Sequence, residues 1–243
     1  MNHDIIKPYD AEGEKKAQVT SMFDRIAPYY DFLNRLLTLR IDVLWRKKAI
    51  AMVSSPDVKD VLDVATGTGD LAIAVAKALP QSKVIGMDIA VKMLAIGDQK
   101  LEKLALTDRV TLEAGDSEAM RYEDGRFDLA MSSFGVRNFG NLKKGLSEMH
   151  RVLRPGGRIM VLEFSRPRVF PIKNMFNIYF KYVLPVIGKL TSKDPRAYKY
   201  LYESVQQFPD FENFTKILEE VGFKHSSYKP LTFGICTVYL ATK

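Results

Sequence analysis

Residues 61–72 read Val61-Leu-Asp63-Val-Ala-Thr-Gly67-Thr68-Gly69-Asp70-Leu-Ala72. A β-type run ends in two closely spaced glycines and passes at once into a helical pattern. A buried strand, a glycine turn and a helix N-terminus in that order bring backbone close to a ligand and aim N–H groups at it. Gly67, Gly69 and Ala72 keep the G-x-G-x-x-G/A spacing, and Asp88 stands 19 residues past Gly69 at the end of the next β-type run. An acid there accepts hydrogen bonds from ribose hydroxyls, so the stretch points to a nucleoside ligand.

Working outward, the spacing predicts strands at Val61 to Ala65, Lys83 to Asp88, Arg109 to Ala114, Phe127 to Ser133 and Arg158 to Phe164. Helical stripes lie between them: Ala90, Leu94, Gly97, Leu101 and Leu104, then Leu142, Leu146, Met149 and Leu153. Alternation of this kind makes a parallel sheet with helices packed on it. Asp210 reads as the N-cap of a further helix with Phe211, Phe214, Leu218 and Val221 on one face and Gly222 as its stop. Two last strands, near Lys224 to Lys229 and Gly234 to Ala241, are joined by a turn containing Pro230. That link is too short for a crossover helix, so they pair antiparallel. The expected fold is α/β, a seven-stranded and mostly parallel sheet with a C-terminal antiparallel hairpin and helices on both faces. Residues 12 to 53 read as helical, anchored by Phe23, Ile26, Tyr30, Leu33, Leu37 and Trp45.

Composition narrows the field. A chain of 243 residues, 47% apolar and 27% charged, suits one large α/β domain and excludes disordered, collagenous and coiled-coil classes. One cysteine, Cys236, rules out a disulfide framework, and His3, His150 and His225 are scattered, so no metal site is expected. The N-terminus lacks the pattern of a secretory signal, and the longest apolar-rich stretch, Asn174 to Leu190, is broken by Lys181 and Pro185. The net charge of +7 is concentrated: Arg166 to Lys199 holds eight basic residues and one acid, Asp194, interleaved with Phe170, Phe176, Tyr179, Phe180, Tyr182 and Tyr198. Such a segment suits an anionic membrane surface, a nucleic acid or a lid over an apolar ligand. The competing reading is a solvated helical face with its aromatics in the core.

NAD and S-adenosylmethionine share this type of crevice. Asp63, four residues before Gly67, would repel a pyrophosphate but attract a cationic methionyl group, and Asp116-Ser117 past the third strand could hold an adenine amino group. Both features favour S-adenosylmethionine. Each also has a structural reading, Asp63 as a cap of the turn and Asp116 as the start of a helix.

The run from Asp63 to Asp70, Asp88, Asp116-Ser117 and Leu153-Arg-Pro-Gly-Gly157 resemble the class I S-adenosylmethionine-dependent methyltransferases over residues 58 to 165. Tyr30-Asp-Phe-Leu-Asn34 with Trp45, Ser133-Phe-Gly-Val-Arg137-Asn138, and Arg151-Val-Leu-Arg-Pro-Gly-Gly157 through Glu163-Phe-Ser165 resemble the ubiquinone and menaquinone biosynthesis C-methyltransferases. Asp42 departs from that pattern, standing where the family usually has a histidine. The resemblance implies a Rossmann-like methyltransferase fold and methylation of demethylmenaquinol to menaquinol, or of demethylubiquinol intermediates.

Candidate cofactor-binding residues are Asp63, Gly67, Thr68, Gly69, Asp88, Asp116, Ser117 and Ser133; candidate catalytic residues are Arg137, Asn138 and Tyr30. A quinone ring is too electron-poor to take a methyl from a sulfonium, whereas a hydroquinone losing a proton is not, so the expected substrate is the reduced quinol. Arg137 would stabilise the developing oxyanion, and a water or Tyr30 would carry the proton. The expected organisation is one methyltransferase domain with an N-terminal helical cap (1–55), a cofactor core (56–165), a basic and aromatic substrate cap (166–208), and a C-terminal helix and hairpin (209–243). Expected partners are a polyprenyl quinol and an anionic membrane surface, at the inner face of the cell membrane and otherwise cytoplasmic. No nucleic acid is expected, since no Asn-Pro-Pro-Tyr motif or appended binding domain is present. The oligomeric state stays open, a homodimer included.

Overall fold

The structure is a computed structural model describing residues 5–9, 12–183 and 195–243. Seven strands form one sheet: β1 (Asp60–Val64), β2 (Lys83–Asp88), β3 (Val110–Ala114), β4 (Phe127–Ser133), β5 (Leu153–Phe164), β6 (Lys224–Leu231) and β7 (Cys236–Thr242). Their order is β3-β2-β1-β4-β5-β7-β6. The first five run parallel, and β7 lies antiparallel between β5 and β6. The chain leaves β1 toward β2 on one side and returns to β4 on the other. Strand order therefore reverses between β1 and β4, which opens a crevice at their carboxyl ends.

Among the described residues there are eight α-helices: α1 (Lys15–Leu37), α2 (Ile41–Val53), α3 (Asp70–Ala78), α4 (Val91–Lys103), α5 (Leu142–Val152), α6 (Ile172–Ile178), α7 (Pro195–Gln207) and α8 (Glu212–Glu220). Alternation along the strands sorts two cores onto the two faces. Leu62, Val64, Ile159, Val161 and Tyr239 pack with α5 and α8; Val61, Met160, Leu162 and Val238 pack with α2 and α3. On α5, Leu142, Leu146, Met149 and Val152 are fully buried. Each such side chain contributes roughly 1.5–3 kcal/mol by leaving water.

The expected fold holds, with local corrections. Residues 12 to 53 form two helices, because Leu39 and Arg40 adopt left-handed backbone and break the run after Leu37. Pro230 lies inside β6 rather than in the turn, which falls at Thr232–Gly234. Since β6 is the sheet's edge, a strand residue lacking an N–H is tolerated there. The fifth strand begins earlier than expected, at Leu153, and Arg154 to Gly157 are absorbed as an irregularity: Leu153 pairs with Phe127 and Arg158 with Leu129. Asp210 does not cap α8. Its carboxylate accepts hydrogen bonds from the backbone N–H and guanidinium of Arg166, and Phe211 takes the N-cap position without a side-chain bond. Leu104, expected on the inner stripe of α4, is exposed just past that helix's end.

Candidate active site

Gly67 and Gly69 both take positive φ, +59° and +76°, as the chain turns from β1 into α3. Only glycine adopts this geometry without strain, and the turn exposes backbone to the crevice. Asp63, at the end of β1, is buried. Its Oδ2 accepts from the Thr66 hydroxyl at 2.6 Å and from the Ala72 N–H at 3.1 Å, while Oδ1 is buried with no hydrogen-bond partner. The structural reading of this residue is met by Oδ2, which caps the turn, and Oδ1 takes no part in that cap. Burial, opposed by those two hydrogen bonds, pushes its carboxyl up to about 7.

Asp88, at the end of β2, accepts from the N–H groups of Gly67 and Ala90, both at 2.8 Å. Burial raises its pKa and these donors resist the rise. The N–H of Ile89 bonds the same carboxylate, so three of its roughly four acceptor sites are filled by backbone. Asp116 accepts from the Glu118 N–H at 2.9 Å and pairs with Lys16 of α1 at 2.7 Å; burial works against these contacts, but they hold its pKa low. The lysine partner was not foreseen from sequence. Thr68 faces a polar cluster instead: its hydroxyl donates to Asp31 at 2.6 Å and accepts from Lys100 at 3.1 Å. Ser117 and Ser133 line the cleft, and the Ser133 hydroxyl is buried with no partner.

Arg137 is buried and donates to Glu163 Oε1 at 2.6 Å and to the Phe134 carbonyl at 2.6 Å. Glu163 is fully buried on β5; burial raises its pKa and the guanidinium opposes the rise. Asn138 donates to the same Phe134 carbonyl at 3.3 Å and leaves Oδ1 buried and unpartnered. Tyr30 stands on α1 with its hydroxyl held above the ordinary value by burial. It is therefore a proton donor at neutral pH and a poor base. Asp42 accepts from Arg35, Arg46 and the Thr38 hydroxyl, so it organises cations between α1 and α2.

A second cavity adjoins this cleft. It has a volume of about 550 Å³ and is walled chiefly by apolar side chains of α1, α2, β5, α6 and α7, among them Met22, Leu33, Trp45, Phe164, Phe176 and Leu201. Phe23, Tyr30, Asn34, Arg46, Phe134 and Asn138 line both cavities. The carboxylates of β1 and β2 thus face one chamber, the apolar walls enclose another, and Tyr30 and Asn138 stand where they meet. Arg137 lines the apolar side only.

Comparison with known proteins shows the family of the chain. The model of the ubiE/COQ5 methyltransferase family matches residues 11–243. The chain belongs to that family. It is 46% identical over 238 residues to a demethylmenaquinone methyltransferase of Bacteroides fragilis, covering 98% of this chain and 97% of the relative. It is 44% identical over 231 residues to the ubiquinone/menaquinone biosynthesis C-methyltransferase UbiE of Geobacter sulfurreducens, covering 95% of this chain and 90% of the relative. Among solved structures, a SAM-dependent methyltransferase of Thermotoga maritima matches with a TM-score of 0.66 at 19% identity, over 92% of this chain and 99% of that one. A Haemonchus contortus phosphoethanolamine N-methyltransferase 2 solved with S-adenosyl-L-methionine matches with a TM-score of 0.59 at 16% identity, over 81% of this chain and 52% of that one.

As a member of the ubiE/COQ5 family the chain is a methyltransferase with S-adenosylmethionine as its donor. The cleft fits that group, because Asp63 Oδ1 and the Ser133 hydroxyl are buried polar atoms without partners in the wall where a cationic amino acid end would lie. Sequence reasoning missed Lys16, Asn34, Arg46, Phe134 and Glu163 as groups of the site. Lys16 and Arg46 lie in helices with no motif of their own, and only the packing of α1 and α2 over the sheet brings them to the cleft.

Proposed function

We propose that the chain carries out S-adenosylmethionine-dependent C-methylation of the ring of demethylmenaquinol, giving menaquinol, in quinone biosynthesis. The observation that carries this reading is the junction of a nucleoside cleft with an apolar chamber, with Tyr30 and Asn138 at the junction and Arg137 beside it. When bound, S-adenosylmethionine supplies an electrophilic methyl on a sulfonium. Asp63 Oδ1 would receive the donor's ammonium, Asp88 its ribose hydroxyls, and Asp116 with Ser117 its adenine edge. Backbone at Gly67, Thr68 and Gly69 would pack against it, and Ser133 would take its carboxylate. Thr68 enters through its main chain, since its hydroxyl is already bonded to Asp31 and Lys100.

On the quinol side, Asn138 Oδ1 would accept a ring hydroxyl, orienting the ring against the methyl. Arg137, fixed by Glu163, would present positive potential to the oxygen whose proton passes to water, and once the ring carbon has taken the methyl the hydrogen it carried restores the hydroxyl. Tyr30, kept protonated by burial, would orient the ring as a donor. The apolar walls exclude water and take up the isoprenoid tail.

A substrate with an isoprenoid tail would bring the enzyme to a membrane surface. Leu36, Leu39 and Met175 wall the apolar chamber yet are 40%, 77% and 62% exposed, and Phe170 at 79% and Tyr182 at 60% project from the adjoining basic segment. An exposed apolar patch beside Lys173 and Lys181 suits an anionic bilayer. The aromatics of this segment divide, with Phe176, Phe180 and Tyr198 in the core. Arg166 and Arg168 are held by Asp210 and Glu212, and Lys189 and Lys193 lie outside the described residues. No described helix is long and apolar enough to cross a membrane.

The test is incubation with methyl-labelled S-adenosylmethionine and demethylmenaquinone, reduced or oxidised. Label on a ring carbon with the reduced form alone is expected. Label on an oxygen, or equal labelling of the oxidised ring, overturns the reading.

A further inference from the structure

Tyr200 lies on α7, which the sequence motifs do not touch, and is only 2% exposed. Its ring packs with Met22, Leu33 and Ala197, while its hydroxyl is buried with no hydrogen-bond partner. A buried phenol that gives up its hydrogen bonds to water loses stability unless something else receives its proton. Phenylalanine would fill the same space without that loss. Tyr200 lines the apolar chamber together with Arg137 and Asn138.

From this placement we propose that Tyr200 is a second donor to the quinol, its O–H bonding to the ring oxygen that becomes anionic when its hydroxyl gives up a proton, ahead of the step in which the ring takes the methyl. The inference rests on the quinol methylation proposed above. Tyr200 keeps its proton throughout and makes no covalent bond; it shares the oxyanion with Arg137. Burial holds the phenol far above its usual range, reinforced by Glu163 and opposed by Arg137, so at neutral pH it can donate but cannot act as a base. Among the described residues that line the chamber, Asn138 Oδ1, an acceptor, and the Tyr200 hydroxyl, a donor, are both buried without a hydrogen-bond partner. A hydroquinone offers one oxygen that still carries hydrogen and one that becomes anionic, and so needs one of each.

The titratable and charged groups walling the chamber are Tyr30, Asp42, Arg46, Arg137, Tyr179 and Tyr198, with Glu163 behind Arg137. Asp42 and Arg46 are paired with each other. Glu163 is paired with Arg137, and the hydroxyls of Tyr30 and Tyr179 are both held up by burial.

The experiment compares full-length wild type with Tyr200→Phe on a reduced, short-tailed demethylmenaquinone analogue. Expected for the variant are a kcat about 10- to 100-fold lower and an unchanged KM for the methyl donor. The acid limb of the kcat–pH profile should move to higher pH, because a bound quinol with one donor fewer ionises less readily. In the absence of quinol the variant should melt at the same temperature or up to about 4 °C higher, the sign a structural hydroxyl would not give. Wild-type kcat with an unmoved pH profile overturns the assignment, and so does a lower kcat accompanied by a lower melting temperature and an unmoved profile. If wild type itself leaves the reduced ring unmethylated, the parent reading fails and takes this one with it.

Discussion

Asp63 sits at the point where cofactor binding and fold stability meet. Its carboxyl is raised to about 7 from an ordinary value of 3.8. A raised acid pKa stabilises the folded state below the unfolded value, and that contribution is lost as pH climbs through the folded one. Without donor, thermal stability should therefore decline between about pH 4 and 7, and Asp63→Asn should flatten that limb. The donor's ammonium favours the ionised form, so binding should release a proton and tighten as pH rises from about 5.5 to 7.5; calorimetry across that range in wild type and Asp63→Asn checks both. Arg137 and Glu163 pose the opposite case, a buried pair already complete. Removing one partner strands a charge, so Glu163→Ala should cost about 3–5 kcal/mol in denaturant unfolding. Arg137→Ala should lose stability as well as turnover, so Arg137→Lys, read by kcat at full occupancy, separates the guanidinium's fork from its charge. The sequence shows Arg137 and Asn138 beside each other but not Glu163 beneath them. Twenty-six positions separate that pair in the chain, and only the parallel pairing of β4 with β5 closes the distance.

At the scale of elements, the glycine turn was legible because its chemistry is local: a strand, three positive φ angles at Ala65, Gly67 and Gly69, and a helix start lie within twelve consecutive residues. The helices of the N-terminal cap were legible as helices, but their seating on the cleft was not, because long-range ion pairs set their positions. Lys16 reaches Asp116, Asp31 reaches Thr68 and Lys100, and Arg35 reaches Asp42 and Asp70, so α1 is tied to the cofactor cleft at three levels. The Asp31 and Lys100 side chains are about one-third and one-quarter exposed, so their pairing contributes little to stability, on the order of 0.2–1 kcal/mol. On the function proposed above, their use would be in holding α1 down over a bound donor. Asp31→Ala should therefore leave the melting temperature within about 4 °C of wild type while speeding donor release, which stopped-flow displacement of a fluorescent donor analogue measures. An unchanged release rate would show that α1 does not gate the cleft.

The whole molecule joins two solvents. One end of the crevice is polar and reads a nucleoside; the other is an apolar chamber of about 550 Å³ whose rim carries exposed Leu36, Leu39 and Met175. The order of the sheet explains the polar end, because reversal between β1 and β4 places the crevice; the alternation in the sequence foretold the parallel sheet, not its order. The apolar end was only half legible. The basic and aromatic segment announced itself by composition, but composition does not say which aromatics turn inward, and Phe176 and Phe180 prove to be wall and core while Phe170 faces out. If the rim passes the tail between bilayer and chamber, its apolar surface matters for a long-tailed substrate and is irrelevant to a short one. Leu39→Glu combined with Met175→Glu should raise KM at least about 10-fold for a polyprenyl quinol in anionic vesicles, the loss expected when a large apolar side chain no longer meets lipid. The same variant should leave kcat and KM for a tailless quinol in solution near wild type, because neither residue is at the junction where Tyr30 and Asn138 meet the ring. Equal impairment on both substrates would instead place these residues in the ring site and remove the argument that this rim faces the membrane.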